Sequence, residues 1–124
     1  LISPPALAPA AEDVPNAVLL DNLEDGLRGA DVVMALRIQR ERIGSLDGIP
    51  GIDEYFANYG ISAERMKLAS PDAIVMHPGP MNRGIEIDSA LADSGSSVIT
   101  RQVANGVAVR MAVLERVCQA MDRH

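Results

Sequence analysis

Apolar residues in this chain occur in two patterns, short unbroken runs over most of its length and three- and four-residue steps near its end, and the two predict different elements. Ala17-Val18-Leu19-Leu20 is an uninterrupted run of strand length. The segment from Asn22 to Ala30 follows it with helical spacing through Leu23 and Leu27 and acidic residues near its start, so a strand leads into a helix. Asp31-Val32-Val33-Met34-Ala35-Leu36 is a second run, too continuous for a half-exposed strand and suited to a parallel strand covered on both faces. Ala73-Ile74-Val75-Met76 is a third. From about Thr100 the residues Val103, Val107, Met111, Leu114, Cys118 and Met121 keep one helical register and predict a long amphipathic helix. Asn105-Gly106 is also a hairpin signal, but the shared register on both sides of it favours the helix.

Between these runs lie the breakers. Leu1-Ile2-Ser3 reads as the end of a strand entering a Pro-rich turn, and Pro4 to Pro15 as a loop with a short helix. The chain begins without Met and is expected to be a fragment. Arg40 to Asp53, with three glycines and a proline, reads as an exposed loop of the kind that often carries function. Ser62-Ala63-Glu64-Arg65 is placed to cap a short helix running to about Ala69. His77-Pro78-Gly79-Pro80 ends the third run abruptly. Alternating strands and helices predict an α/β fold, an open parallel sheet with helices on both faces that ends in a long C-terminal helix. Ligands of such sheets bind at the carboxyl ends of the strands. The segments starting at Arg37 and at His77 both fall there.

Arg37 and Gln39 stand two residues apart, so in extended geometry both side chains project to one side. A guanidinium fork matches a carboxylate, and the Gln amide adds a donor and an acceptor, which would suit an anionic ligand with a second polar group. The alternative is a solvated strand end, or arginines paired with Glu41. In His77-Pro78-Gly79-Pro80 the prolines remove backbone donors and Gly79 permits close approach, so backbone carbonyls can face a ligand rich in N–H groups. The same residues would equally serve as a rigid turn. His77 has no partner visible in the sequence for acid or base catalysis, and His124 is terminal.

Composition narrows the function. Apolar residues make up 48% of the 124, aromatic residues 2% and charged residues 23%, so one modest domain is expected with a core of Val, Ile, Leu, Met and Ala. Seventeen acidic against eleven basic residues give a net charge of −6, which argues against nucleic-acid binding. No apolar run approaches the roughly 18 residues of a membrane span. Cys118, the single cysteine, is expected to be a small core residue of the last helix and fits a reduced, cytoplasmic setting. Two separated histidines and one cysteine do not make a zinc site, and the glycines form neither a dinucleotide fingerprint nor a P-loop.

Three motifs in order, Asp31 to Arg42, His77 to Ile87 and Gln102 to Arg110, resemble those of aspartate transcarbamoylases over essentially the whole chain. The resemblance implies a Rossmann-like fold, an incomplete second domain of a two-domain transcarbamoylase. Residues 1–100 would be a partial aspartate-binding domain whose first strand and helix are missing. Residues 101–124 would be a helix packing toward an absent carbamoyl phosphate domain. It implies transfer of a carbamoyl group from carbamoyl phosphate to L-aspartate, in pyrimidine synthesis, without a metal or organic cofactor. Arg37 would bind an aspartate carboxylate with support from Gln39. Gly79 and Pro80 would offer backbone contacts to carbamoyl phosphate. Tyr55 and closure of the loop after Arg42 are further candidates. Ornithine transcarbamylases carry Cys where Pro78 stands, so aspartate is the expected acceptor. The Ser-Thr-Arg-Thr phosphate motif is absent from these residues. The segment alone is therefore expected to be inactive and to need an N-terminal domain and neighbouring catalytic chains, a homotrimer or higher. Regulatory chains or a dihydroorotase partner stay open, as does the alternative of a non-catalytic binding or oligomerisation module.

Overall fold

The computed structural model describes residues 1–38 and 51–121. Two parallel strands, β1 (Val32–Met34) and β2 (Ile74–Met76), form its sheet, with Val33 opposite Val75. Among the described residues four α-helices accompany them: α1 (Leu23–Leu27), α2 (Ile52–Tyr59), α3 (Ser89–Ala92) and α4 (Ile99–Met121). Short 3-10 turns lie at Pro5–Leu7, Ala11–Asp13 and Arg65–Leu68. The fold is thus α/β with a parallel sheet and a long last helix, as the pattern predicts.

Local chemistry explains several boundaries. Asn22 caps α1 by accepting from the Asp25 amide at 3.1 Å, and Gly29, at φ +68°, turns the chain back toward β1 in a conformation that side chains resist. Asp88 caps α3 by accepting from the Ala90 amide at 3.0 Å. Ser62 accepts from the Arg65 amide at 3.3 Å, the cap expected there, although the turn it opens is 3-10 rather than α and ends at Leu68.

The core gathers Leu23 and Leu27 of α1, Val33 and Ala35, Val75, Ile61, Ile87, Leu91 and Ile99. Val75 is fully buried and paired on both sides: β1 flanks it, and its amide and carbonyl bond Ser96 and Val98 at 2.9 Å. Complete burial of such a side chain contributes about 1.5–3 kcal/mol.

Four expectations are corrected. Leu1–Ser3 and Ala17–Leu20 are not strands but meet in an isolated parallel bridge, Ile2 to Leu20. That is all two such short segments sustain without further neighbours. β1 is well covered on one face only: Val33 is buried, whereas Val32, Met34 and Leu36 stand about half exposed. Part of the expected loop is helix, since α2 begins at Ile52. Cys118 is exposed rather than a core residue. α4 does run unbroken through Asn105-Gly106 for 23 residues, about 35 Å at 1.5 Å per residue. Only its start docks, through Ile99 and Gln102, and every residue from 103 to 121 is exposed.

Candidate functional site

Parallel pairing sends the chain out of β1 and β2 at the same edge of the sheet, so Arg37-Ile38 and the His77–Asn82 loop leave side by side. Two bonds fix that proximity. The Ala35 amide donates to the Met76 carbonyl at 3.0 Å, and the Asn82 side chain donates to the Ile38 carbonyl at 3.2 Å. Arg37 is exposed and Ile38, behind it, is buried, so the strand end is anchored by its apolar neighbour. Arg37 has no ion pair among the described residues. Gln39, Arg40, Glu41 and Arg42 lie outside the described residues, as does His124.

The His77 loop owes its shape to side chains beneath it. His77 is fully buried, and its backbone amide donates to Gln102 Oε1 of α4 at 2.9 Å. Gly79 is at φ +70° and is followed by a cis peptide to Pro80. The Gly79 amide donates to His77 Nδ1 at 2.8 Å. An amide can only donate, so Nδ1 carries no proton and the ring proton sits on Nε2. From there it points at Glu86 Oε1, 3.3 Å away. Glu86, 2% exposed, also accepts from the Asn82 amide, while its Oε2 is buried without a partner among the described residues.

Hydrogen-bond accounting over Pro78-Gly79-Pro80 then becomes one-sided. Prolines have no N–H, and the one N–H available, that of Gly79, is taken by His77. The carbonyls of Pro78, Gly79 and Pro80 accept nothing from the described residues. The loop therefore presents acceptors and suits a ligand group bearing several N–H donors. Pro78 and Pro80 are exposed and Gly79 is half-buried, so the rim is accessible.

Arg83, three residues beyond Pro80, is engaged. Arg83 grips Asp93 with both terminal nitrogens, at 2.7 and 2.8 Å, and holds that carboxyl below its ordinary range. An open groove of about 910 Å³ runs along β1 and takes in Arg37, Ile38, Tyr55, Tyr59, Ile61 and Glu86, but neither Gly79 nor Pro80. The Tyr55 phenol is pushed above its ordinary value of 10.0, first by burial and then by the charges of Glu86 and Tyr59. Arg65 closes α2, donating to the carbonyls of Phe56 at 3.1 Å, Gly60 at 2.6 Å and Ala57. No group of three or more His, Cys, Asp or Glu side chains able to hold a metal occurs among the described residues, and no helix there is long and apolar enough to cross a membrane.

Of the four expected site residues, the structure brings Arg37 to the same sheet edge as Gly79 and Pro80, and Gln39 is not described. Asn82, Glu86 and Gln102 carry no role readable in the sequence, and His77 has no partner visible there. Glu86 is that partner. The available signal was a carboxylate two residues beyond the Gly84 turn and between the apolar Ile85 and Ile87, a setting in which a charge needs company.

Residues 6–117 match a family model described as "Aspartate/ornithine carbamoyltransferase, Asp/Orn binding domain". The chain is 51% identical over 123 residues to the "Aspartate carbamoyltransferase catalytic subunit" of Gluconacetobacter diazotrophicus, a match covering 99% of this chain and 38% of that protein. Among solved structures it resembles an ornithine carbamoyltransferase from Burkholderia thailandensis, with a TM-score of 0.73 and 27% identity, over 93% of this chain and 37% of that one. It also resembles an aspartate transcarbamoylase from Trypanosoma cruzi in complex with carbamoyl phosphate, with a TM-score of 0.71 and 29% identity, over 92% of this chain and 38% of that one. The chain thus spans little more than a third of the length of these relatives.

Proposed function

The chain belongs to the aspartate/ornithine carbamoyltransferase family, and from that premise we propose that it is the acceptor-binding part of an aspartate carbamoyltransferase. The observation that carries this reading is the juxtaposition at one sheet edge: an exposed arginine at the end of β1 beside a loop with only acceptors to offer, linked by Asn82 and Ile38. Arg37 takes a carboxylate of L-aspartate through its planar fork, a contact that Gln39 supports. The Gly79 and Pro80 carbonyls accept from the carbamoyl N–H groups. Aspartate is favoured over ornithine by the likeness to an aspartate enzyme at 51% identity and by Pro78.

In this reaction the amine nitrogen of aspartate attacks the carbamoyl carbon. A tetrahedral species forms, the C–O bond to phosphate breaks, and the amine loses a proton as N-carbamoyl-L-aspartate and phosphate separate. Holding both substrates in line supplies much of the acceleration, because orientation removes an entropic barrier. The 124 residues carry no Ser-Thr-Arg-Thr motif, so phosphate recognition belongs to a carbamoyl phosphate domain outside this segment and, in the assembled enzyme, to neighbouring catalytic chains. The segment by itself does not turn over. The product feeds pyrimidine synthesis in the cytoplasm.

Carbamoyl-aspartate formation by the intact protein tests the proposal. Arg37→Ala is expected to raise the aspartate concentration needed for half-maximal rate by about tenfold or more, the cost of an unpaired carboxylate. Unchanged aspartate kinetics would remove Arg37 from the site. Turnover with ornithine in place of aspartate would overturn the acceptor assignment.

A further inference from the structure

His77 is too deeply buried to touch a ligand, yet both of its ring nitrogens are committed, and each commitment ends on the loop that faces one. Nδ1 accepts from the Gly79 amide at 2.8 Å. Nε2 donates to Glu86 Oε1 at 3.3 Å, and that same oxygen accepts from the Asn82 amide. The pair thus holds the loop at Gly79 and at Asn82 and turns both N–H groups inward. Gln102 fixes the base of the pair by accepting from the His77 amide, which ties it to α4. Asn82, held by Glu86 through its backbone, reaches with its side chain to the carbonyl of Ile38, next to Arg37.

Resting on the function proposed above, we infer that His77 and Glu86 are a positioning pair. They fix the donor-free face of the Gly79-Pro80 loop and its spacing from Arg37, without taking part in proton transfer. Neutral imidazole with its proton on Nε2 is the state this requires, because a proton on Nδ1 would set donor against donor at Gly79.

The chemistry of substitution separates the two bonds. Asn places an oxygen where Nδ1 stands and retains an acceptor for the Gly79 amide. Gln places its amide where Nε2 stands and retains the reach to Glu86 but leaves Gly79 unpaired. In the intact protein, His77→Gln is expected to weaken carbamoyl phosphate binding and lower kcat/KM for it about tenfold, as loss of one buried hydrogen bond implies. His77→Asn should recover most of that loss, and Glu86→Gln should fall between.

Nitrogen-15 NMR of the wild-type imidazole, a measurement that does not depend on whether the variants fold, should show the Nε2-protonated form. A ring proton on Nδ1, or His77→Gln and His77→Asn with equal kinetics, would overturn the inference. Arg37→Ala run in parallel keeps the two proposals apart. Normal aspartate kinetics in that variant count against the function, whereas a strong Arg37 effect with an insensitive His77 counts against the pair alone.

Discussion

Arg65 offers a test of how α2 is held, with a magnitude that follows from its contacts. Its guanidinium donates to the carbonyls of Phe56, Ala57 and Gly60 at the end of that helix. The Phe56 carbonyl also receives the Gly60 amide at 2.9 Å, but those of Ala57 and Gly60 have no other donor among the described residues. Arg65→Met keeps the apolar stem and removes the three bonds. The contact to Ala57 is exposed and is discounted for solvent screening; the two half-buried contacts contribute about 1 kcal/mol each at most. The lost positive charge at a helix C-terminus adds about 0.3 kcal/mol or more, so a local loss of about 2 kcal/mol is expected. At 1.36 kcal/mol per tenfold, amides of α2 should exchange with deuterium about 30-fold faster, that of Gly60 included, while the Val75 amide in β2 keeps its protection. Exchange in α2 within threefold of wild type would refute the capping role. So would a uniform loss across α2 and β2, which would mean that Arg65 supports the whole fold rather than one helix.

Two further outcomes follow from packing and charge. Gly60 adopts ordinary angles, yet a methyl group there would meet the Phe56 carbonyl oxygen at 2.6 Å and crowd the Phe56 ring, so Gly60→Ala should cost about 1–3 kcal/mol in urea unfolding. Wild-type stability in that variant would contradict the geometry. Tyr55, whose phenol is raised above 10.0 chiefly by burial, binds its proton more tightly folded than unfolded. Its contribution to stability is therefore full below that pH and is lost as pH rises through the folded value. The ultraviolet difference titration between wild type and Tyr55→Phe should have its midpoint above pH 10.0, and a midpoint at or below it would show the ring to be solvated.

What the sequence disclosed was governed by range. α4 is legible because Val103, Val107 and Met111 repeat a helical step over many turns. The ends of β1 and β2 are legible because apolar runs stop at Arg37 and at His77-Pro78, and strand ends in parallel sheets are where ligands bind. α2 was hidden because its eight residues lie between Gly51 and Gly60 and its last turn is closed by Arg65, beyond the segment itself. The His77 and Glu86 pairing was hidden for a similar reason: nine residues and two turns separate the partners, and no periodicity marks them. Burial was the least readable quantity. An unbroken apolar strand implied cover on both faces, and an apolar helical stripe implied a buried Cys118, yet a run of Val and Met states only what a surface prefers. Whether a neighbour arrives is decided elsewhere.

On the function proposed above, the one-sided loop at Gly79 and Pro80 would also act on the polarity of whatever approaches it. Carbonyl lone pairs without a neighbouring donor would repel phosphate oxygens as they accept from amide hydrogens. A molecule with nitrogen at one end and phosphate at the other thus meets an attractive and a repulsive half of the same contact, and its reversed orientation is disfavoured before any cation takes hold of the phosphate. Selection of the right way round would then begin at the backbone.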